Sequence, residues 1–151
     1  MWQDIHVMIY IGYGFLMVFL KTHSWTAVGF NFLLSAFAFQ IAILIVPFWH
    51  MVFLNKFTKI PLTVDTLVTG DFAAAACMIC YGALLGKADL FQMWVLLIFL
   101  VIFYGLNEGI GVEVFGAVDK GGAMFIHTFG AYFGLTASYF FHSGKAIEDK
   151  E

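Results

Sequence analysis

His127 lies within a long apolar run, G-G-A-M-F-I-H-T-F-G-A-Y-F-G-L-T-A-S-Y-F-F, with Asp119 and Lys120 before it and Lys145 after it. About 20 helical residues span the hydrocarbon core of a bilayer, and this run is long enough to do so. An ionisable side chain placed there usually faces a bundle interior or a pathway, because lipid penalises it. Dehydration favours the neutral imidazole, which offers one donor and one acceptor. That chemistry suits a small polar solute better than a stripped cation. A histidine donating to a carbonyl on a neighbouring helix satisfies the same facts, so both readings stand on residue type alone. Metal binding would need further histidines or carboxylates at ligand spacing, and none lies nearby in sequence.

Carboxylates supply the other candidates. Asp119 precedes Gly121 and Gly122, where it can accept hydrogen bonds from the free N–H groups that open the next helix. The capping role leads over direct substrate binding, and the two are compatible. Asp71 lies about ten residues into another apolar run, and a mid-span aspartate is expected to face protein or water rather than lipid. Its neighbour Phe72, one of 19 phenylalanines, reads by itself as ordinary packing. Glu108 and Glu113 crowd the end of a further run, either as a solvated helix end or as acids that draw a cation toward a vestibule. Cys77 and Cys80 form C-M-I-C inside an apolar stretch with no second cysteine pair, which favours small packing residues over redox or zinc chemistry.

The elements that position these residues follow from composition. The 151 residues are 62% hydrophobic and only 11% charged, with a mean hydropathy of +0.92; soluble domains sit near 25% charged. Lipid is the expected solvent. The seven basic residues, all lysine, are dispersed and the net charge is −3, which leaves no footprint for nucleic acid. The start of the chain lacks the basic region and small-residue site of a cleaved leader. Five apolar segments emerge, at 5–20, 27–53, 62–85, 91–115 and 121–141. They are too long and continuous for barrel strands, so the expected class is all-α, a polytopic transmembrane bundle of about five spans forming one domain over 1–151. Pro47 lies close enough to the end of the second segment to bend it. Short connections predict antiparallel neighbours, and the tail 145–151 reads as polar and frayed. With five crossings, Lys56, Lys59 and Lys120 fall on the side of the chain start and Lys21, Lys87, Lys145 and Lys150 on the other. That count slightly favours an outside start. Glycines at four-residue spacing (Gly82/Gly86, Gly105/Gly109, Gly130/Gly134) allow close helix approach.

The stretch V-D-K-G-G-A-M-F-I-H-T-F-G-A-Y-F-G-L resembles the signature of the Rhesus-glycoprotein branch of the ammonium transporter (Amt/Rh) family. D-I-H-V-M-I-Y-I-G-Y-G-F-L-M-V-F-L-K, V-G-F-N-F-L-L-S-A-F, G-D-F-A-A-A-A-C and Y-G-A-L-L-G-K agree with it in order, so the resemblance covers nearly the whole chain. It implies two inverted repeats of five helices, of which this chain supplies the first, and a trimer in which each subunit encloses its own pore. It also implies passive permeation of ammonia, without enzyme chemistry or a cofactor. His127 would be the first of two pore-lining histidines, Phe72 one of two gate phenylalanines, Asp119 the aspartate at the outer end of the fifth helix and Glu108 an acid of the outer vestibule. Ammonium would lose a proton near the gate and ammonia would cross beside the histidines. The implied setting is the plasma membrane, with the chain start outside and with homo- or hetero-trimeric Rh-type partners. The second histidine and second gate phenylalanine would come from a second repeat, so the competing class is a truncated, non-transporting subunit that assembles with full-length chains.

Overall fold

A computed structural model describes residues 1–141. The expected polar tail 145–151, and with it Lys145 and Lys150 of the lysine count, lies outside the described residues. Within them the chain is helical throughout, and no strand is formed among the described residues. Helix α1 (Trp2–Val7) runs into a π-helical turn (Met8–Tyr13) and a 3-10 turn (Leu16–Phe19). Helix α2 spans Ser24–Leu54, α3 spans Val64–Leu84, and α4 spans Leu90–Gly109 with a π-helical continuation over Ile110–Val114. The last segment opens with a π-helical turn (Ala123–Thr128) and continues as α5 (Phe129–Phe140).

Three of these helices, Ser24–Leu54, Val64–Leu84 and Leu90–Val114, are long and apolar enough to cross a membrane. The first and fifth segments are also continuous helical paths, but π and 3-10 turns divide them, so neither is a single long α-helix. Helix α2 has 31 residues and carries Pro47 inside it; at 1.5 Å per residue it is roughly 46 Å long, longer than a bilayer core.

The ends are fixed locally. Asp89 accepts from the Gln92 amide at 2.8 Å while the Gln92 side chain accepts from the Asp89 amide at 3.0 Å, a reciprocal cap that opens α4. The Thr63 hydroxyl accepts from the Thr66 amide to open α3.

Helix α3 is the centre of the bundle. Its run Ala73–Ala74–Ala75–Ala76 is almost wholly buried, and α2, α5 and the first segment all pack on it. Sequence neighbours are not always spatial neighbours: α4 seats chiefly on α2, and α5 on α3. Two of the glycine pairs explain this. Gly105 and Gly109 face Trp49 and Phe53 of α2. Gly130 and Gly134 lie against the α3 backbone, where a Cβ on Gly130 would stand 2.8 Å from the Ala76 carbonyl oxygen. Cys77 and Cys80 are buried free thiols in the same α3 interior. Large apolar side chains such as Leu44, Phe91 and Phe99 point outward, as lipid-facing surfaces require.

Candidate functional site

Asp119 organises the start of the last segment. Its Oδ2 accepts from the backbone N–H groups of Met124 at 2.9 Å and Phe125 at 2.8 Å, which are donors that no preceding helical turn can satisfy. The backbone then enters a wide turn: the His127 amide donates to the Gly122 carbonyl, five residues back, at 3.0 Å. The Thr128 hydroxyl donates to the Ala123 carbonyl at 2.7 Å, a side-chain competition of the kind that loosens helical spacing. Wide turns of this type are frequent at functional positions. His127 therefore falls within the first turns of the segment, not at the middle of a straight helix.

This turn closes one wall of a cavity of about 540 Å³. Phe72 from α3, Glu108 from α4, Asp119 from the loop after α4, and His127 all line it. The four residues are separated by up to 55 positions in the chain, and the fold brings them to one space. They lie toward the end of the bundle where α2 joins α3 and α4 joins the last segment. The first segment contributes Ile5, Met8, Ile9 and Tyr13 to the lining, so most of the surface is apolar with a few polar groups spaced around it. The side on which Met8 and His127 are exposed is uncovered. His127 was expected to face a bundle interior or a pathway; it lines the cavity and is exposed on the uncovered side.

Several polar partners were not evident in the sequence. The Tyr13 hydroxyl lies 3.3 Å from His127 Nε2. One tyrosine among many aromatics carries no signal, and 114 positions separate the two. Asp71 is fully buried, and its Oδ1 accepts from His6 Nδ1 at 2.7 Å, while Oδ2 has no partner among the described residues. The carboxylate does face protein, and the pair joins the first segment to α3. Near the end of α2, His50 Nδ1 donates to Glu113 Oε1 at 2.7 Å. Glu108 lines the cavity, and its Oε2 is buried without a hydrogen-bond partner among the described residues. The sequence signal for these pairs was one histidine near an end of an apolar segment for each acid, but nothing in it matched the partners. Among the described residues no group of three or more His, Cys, Asp or Glu side chains could hold a metal ion.

Comparison with known proteins gives concordant matches. The model of the Ammonium Transporter Family matches residues 1–151. Ammonium transporter Rh type C-like 2 of Danio rerio is 47% identical over 136 residues, covering 90% of this chain and 28% of that protein. Ammonium transporter Rh type C of Oncorhynchus mykiss is 46% identical over 149 residues, covering 98% of this chain and 30% of that protein. Ammonium transporter Rh type B of Xenopus tropicalis is 46% identical over 136 residues, covering 90% of this chain and 29% of that protein. The chain thus spans about three tenths of the length of these relatives.

Proposed function

The chain belongs to the ammonium transporter family, and we propose that it forms one wall of a pore through which ammonia crosses the bilayer. The observation that carries this reading is the shared cavity of Phe72, Glu108, Asp119 and His127. An apolar lumen excludes ammonium, because a bare charge loses its hydration there. Neutral ammonia loses far less, and a neutral imidazole at His127 can both give it and take from it a hydrogen bond. Glu108 and Asp119 supply negative charge at the mouth, which raises the local concentration of ammonium. Phe72 is the apolar barrier that favours the uncharged form. The process is permeation, with no covalent step.

The uncovered side of the cavity has to be closed by further protein. We place the chain in a trimer with Rh-type subunits, in the plasma membrane. Vesicles carrying this chain alone should show ammonia permeability at the lipid background. Vesicles in which the uncovered side is closed by a co-assembled Rh-type chain should alkalinise internally on an inward ammonium gradient. Saturable uptake by the chain alone would overturn the one-sided wall, and no uptake in any closed assembly would overturn the pore. The second reading, a non-transporting interaction module, has the exposure of His127 in its favour; trimers that form with and without this chain and conduct equally would select it.

A further inference from the structure

We propose that Tyr13 is a second solute-contacting residue of the pore, its hydroxyl donating to the lone pair of ammonia while His127 Nε2 accepts one of the ammonia N–H groups. The inference rests on the ammonia-pore reading and deepens it by naming a group that tells the uncharged solute from the cation. Tyr13 and His127 line the same cavity, and the Tyr13 hydroxyl stands 3.3 Å from Nε2. It is the one hydrogen bond that the imidazole makes among the described residues. The two rings lie 6.1 Å apart at their centroids and are tilted by 34°, so they meet through hydroxyl and nitrogen rather than face to face. Local packing holds the tyrosine there. Tyr13 closes the π-helical turn Met8–Tyr13. Gly14 follows, where an added Cβ would run into the Phe32 ring of α2. Tyr10 stacks on the same ring at 6.1 Å, and His6 is tied to Asp71 of α3 at 2.7 Å. The backbone on either side of Tyr13 is therefore seated on neighbouring helices.

A phenol is a better donor than acceptor, because its oxygen lone pair is shared with the ring. The Tyr13 O–H therefore points at Nε2, and the neutral imidazole carries its proton on Nδ1. At 3.3 Å the bond is longer than the usual range, so it exchanges readily. Ammonia replaces it with two bonds, accepting from Tyr13 on its lone pair and donating an N–H to Nε2. Ammonium has no lone pair. It can donate to Nε2, but the displaced O–H is then left unpaired beside apolar neighbours such as Ile9 and Ile126, which is costly. The pair thus reads the lone pair of the solute. Water has lone pairs too, but it is a weaker base than ammonia and a weaker acceptor for a phenol.

The test is Tyr13→Phe, which removes the hydroxyl and keeps the ring, in the closed assembly with an Rh-type chain, with folded amounts matched. Ammonia flux should fall roughly 2- to 10-fold, the worth of one hydrogen bond, and the ratio of ammonium current to ammonia flux should rise. Tyr132→Phe, on the exposed outer face of α5, should change neither. Nitrogen NMR on the same assembly, with labelled histidine in this chain alone and at alkaline pH where free imidazole is neutral, reads the contact itself. The His127 signals are identified by their absence in His127→Gln. Nε2 should be the unprotonated nitrogen, and its resonance should move downfield in Tyr13→Phe as the donor is lost. A change of packing alone would not move that signal in this direction. Unchanged flux and unchanged charge selectivity in Tyr13→Phe, beside a conducting parent assembly, would overturn the role of Tyr13 and leave the pore reading intact. A protonated Nε2, or an Nε2 resonance indifferent to Tyr13→Phe, would overturn it as well. A parent assembly that conducts no ammonia would overturn both readings.

Discussion

Asp119 holds two backbone donors with one carboxylate oxygen, so its geometric role is separable from its charge. Asp119→Ala should lower stability by about 1 kcal/mol through the lost cap, and Asp119→Asn should retain much of it. Thermal unfolding in detergent checks this, and an Asn variant as unstable as the Ala variant would mean that charge, not capping geometry, is what matters. The His6–Asp71 pair makes a second case. His6→Ala leaves the buried Asp71 carboxylate without its one partner, a loss of about 1–3 kcal/mol, and His6→Gln, which can still donate, should lose less. Equal unfolding midpoints for the two variants would show that the pair contributes packing alone. At this scale the sequence was most legible where chemistry is local: a carboxylate just before two glycines reads as a cap because its partners are five and six residues away. His6 with Asp71 and His50 with Glu113 are 65 and 63 positions apart, and no spacing rule reaches that far.

The elements are set by small residues and by irregular turns. Gly130 and Gly134 let α5 lie against the backbone of α3, and through α3 they fix where the His127 turn sits relative to Phe72. A methyl group at Gly130 would collide with the Ala76 carbonyl, so Gly130→Ala should lower stability by about 1–3 kcal/mol through overpacking. Gly29, whose added Cβ meets nothing, lies inside α2, and Gly29→Ala should be neutral or slightly stabilising. Unfolding midpoints that fall equally in the two variants would contradict the close-packing role. The apolar segments were legible because hydropathy alone separates them from short polar connections. The π turns were not. The one at Ala123–Thr128 carries a Thr128 hydroxyl bond to the Ala123 carbonyl and a His127 N–H bond to the Gly122 carbonyl, neither of which hydropathy encodes. The neighbour order was legible only in part: short loops argued for sequential pairing, while glycine faces decided that α4 packs on α2 and α5 on α3.

For the whole molecule, the all-helical membrane architecture follows from composition, since a chain this apolar and this poor in charge has no polar surface to present to water. The site needed more. Composition identified a histidine in an apolar run, but only the fold brings residues 72, 108, 119 and 127 around one cavity. The measurement that bears most directly on an ammonia pore is paired vesicle uptake and electrical recording on His127 variants, in a closed assembly, folded and matched for amount. His127→Ala should lower ammonia flux or let charge pass with it, while folding is kept because alanine is a strong helix former. His127→Phe should block more severely, because its ring fills the lumen and offers no ring nitrogen to the solute. Unchanged ammonia flux together with unchanged charge selectivity in both variants would make His127 a packing residue and contradict the pore.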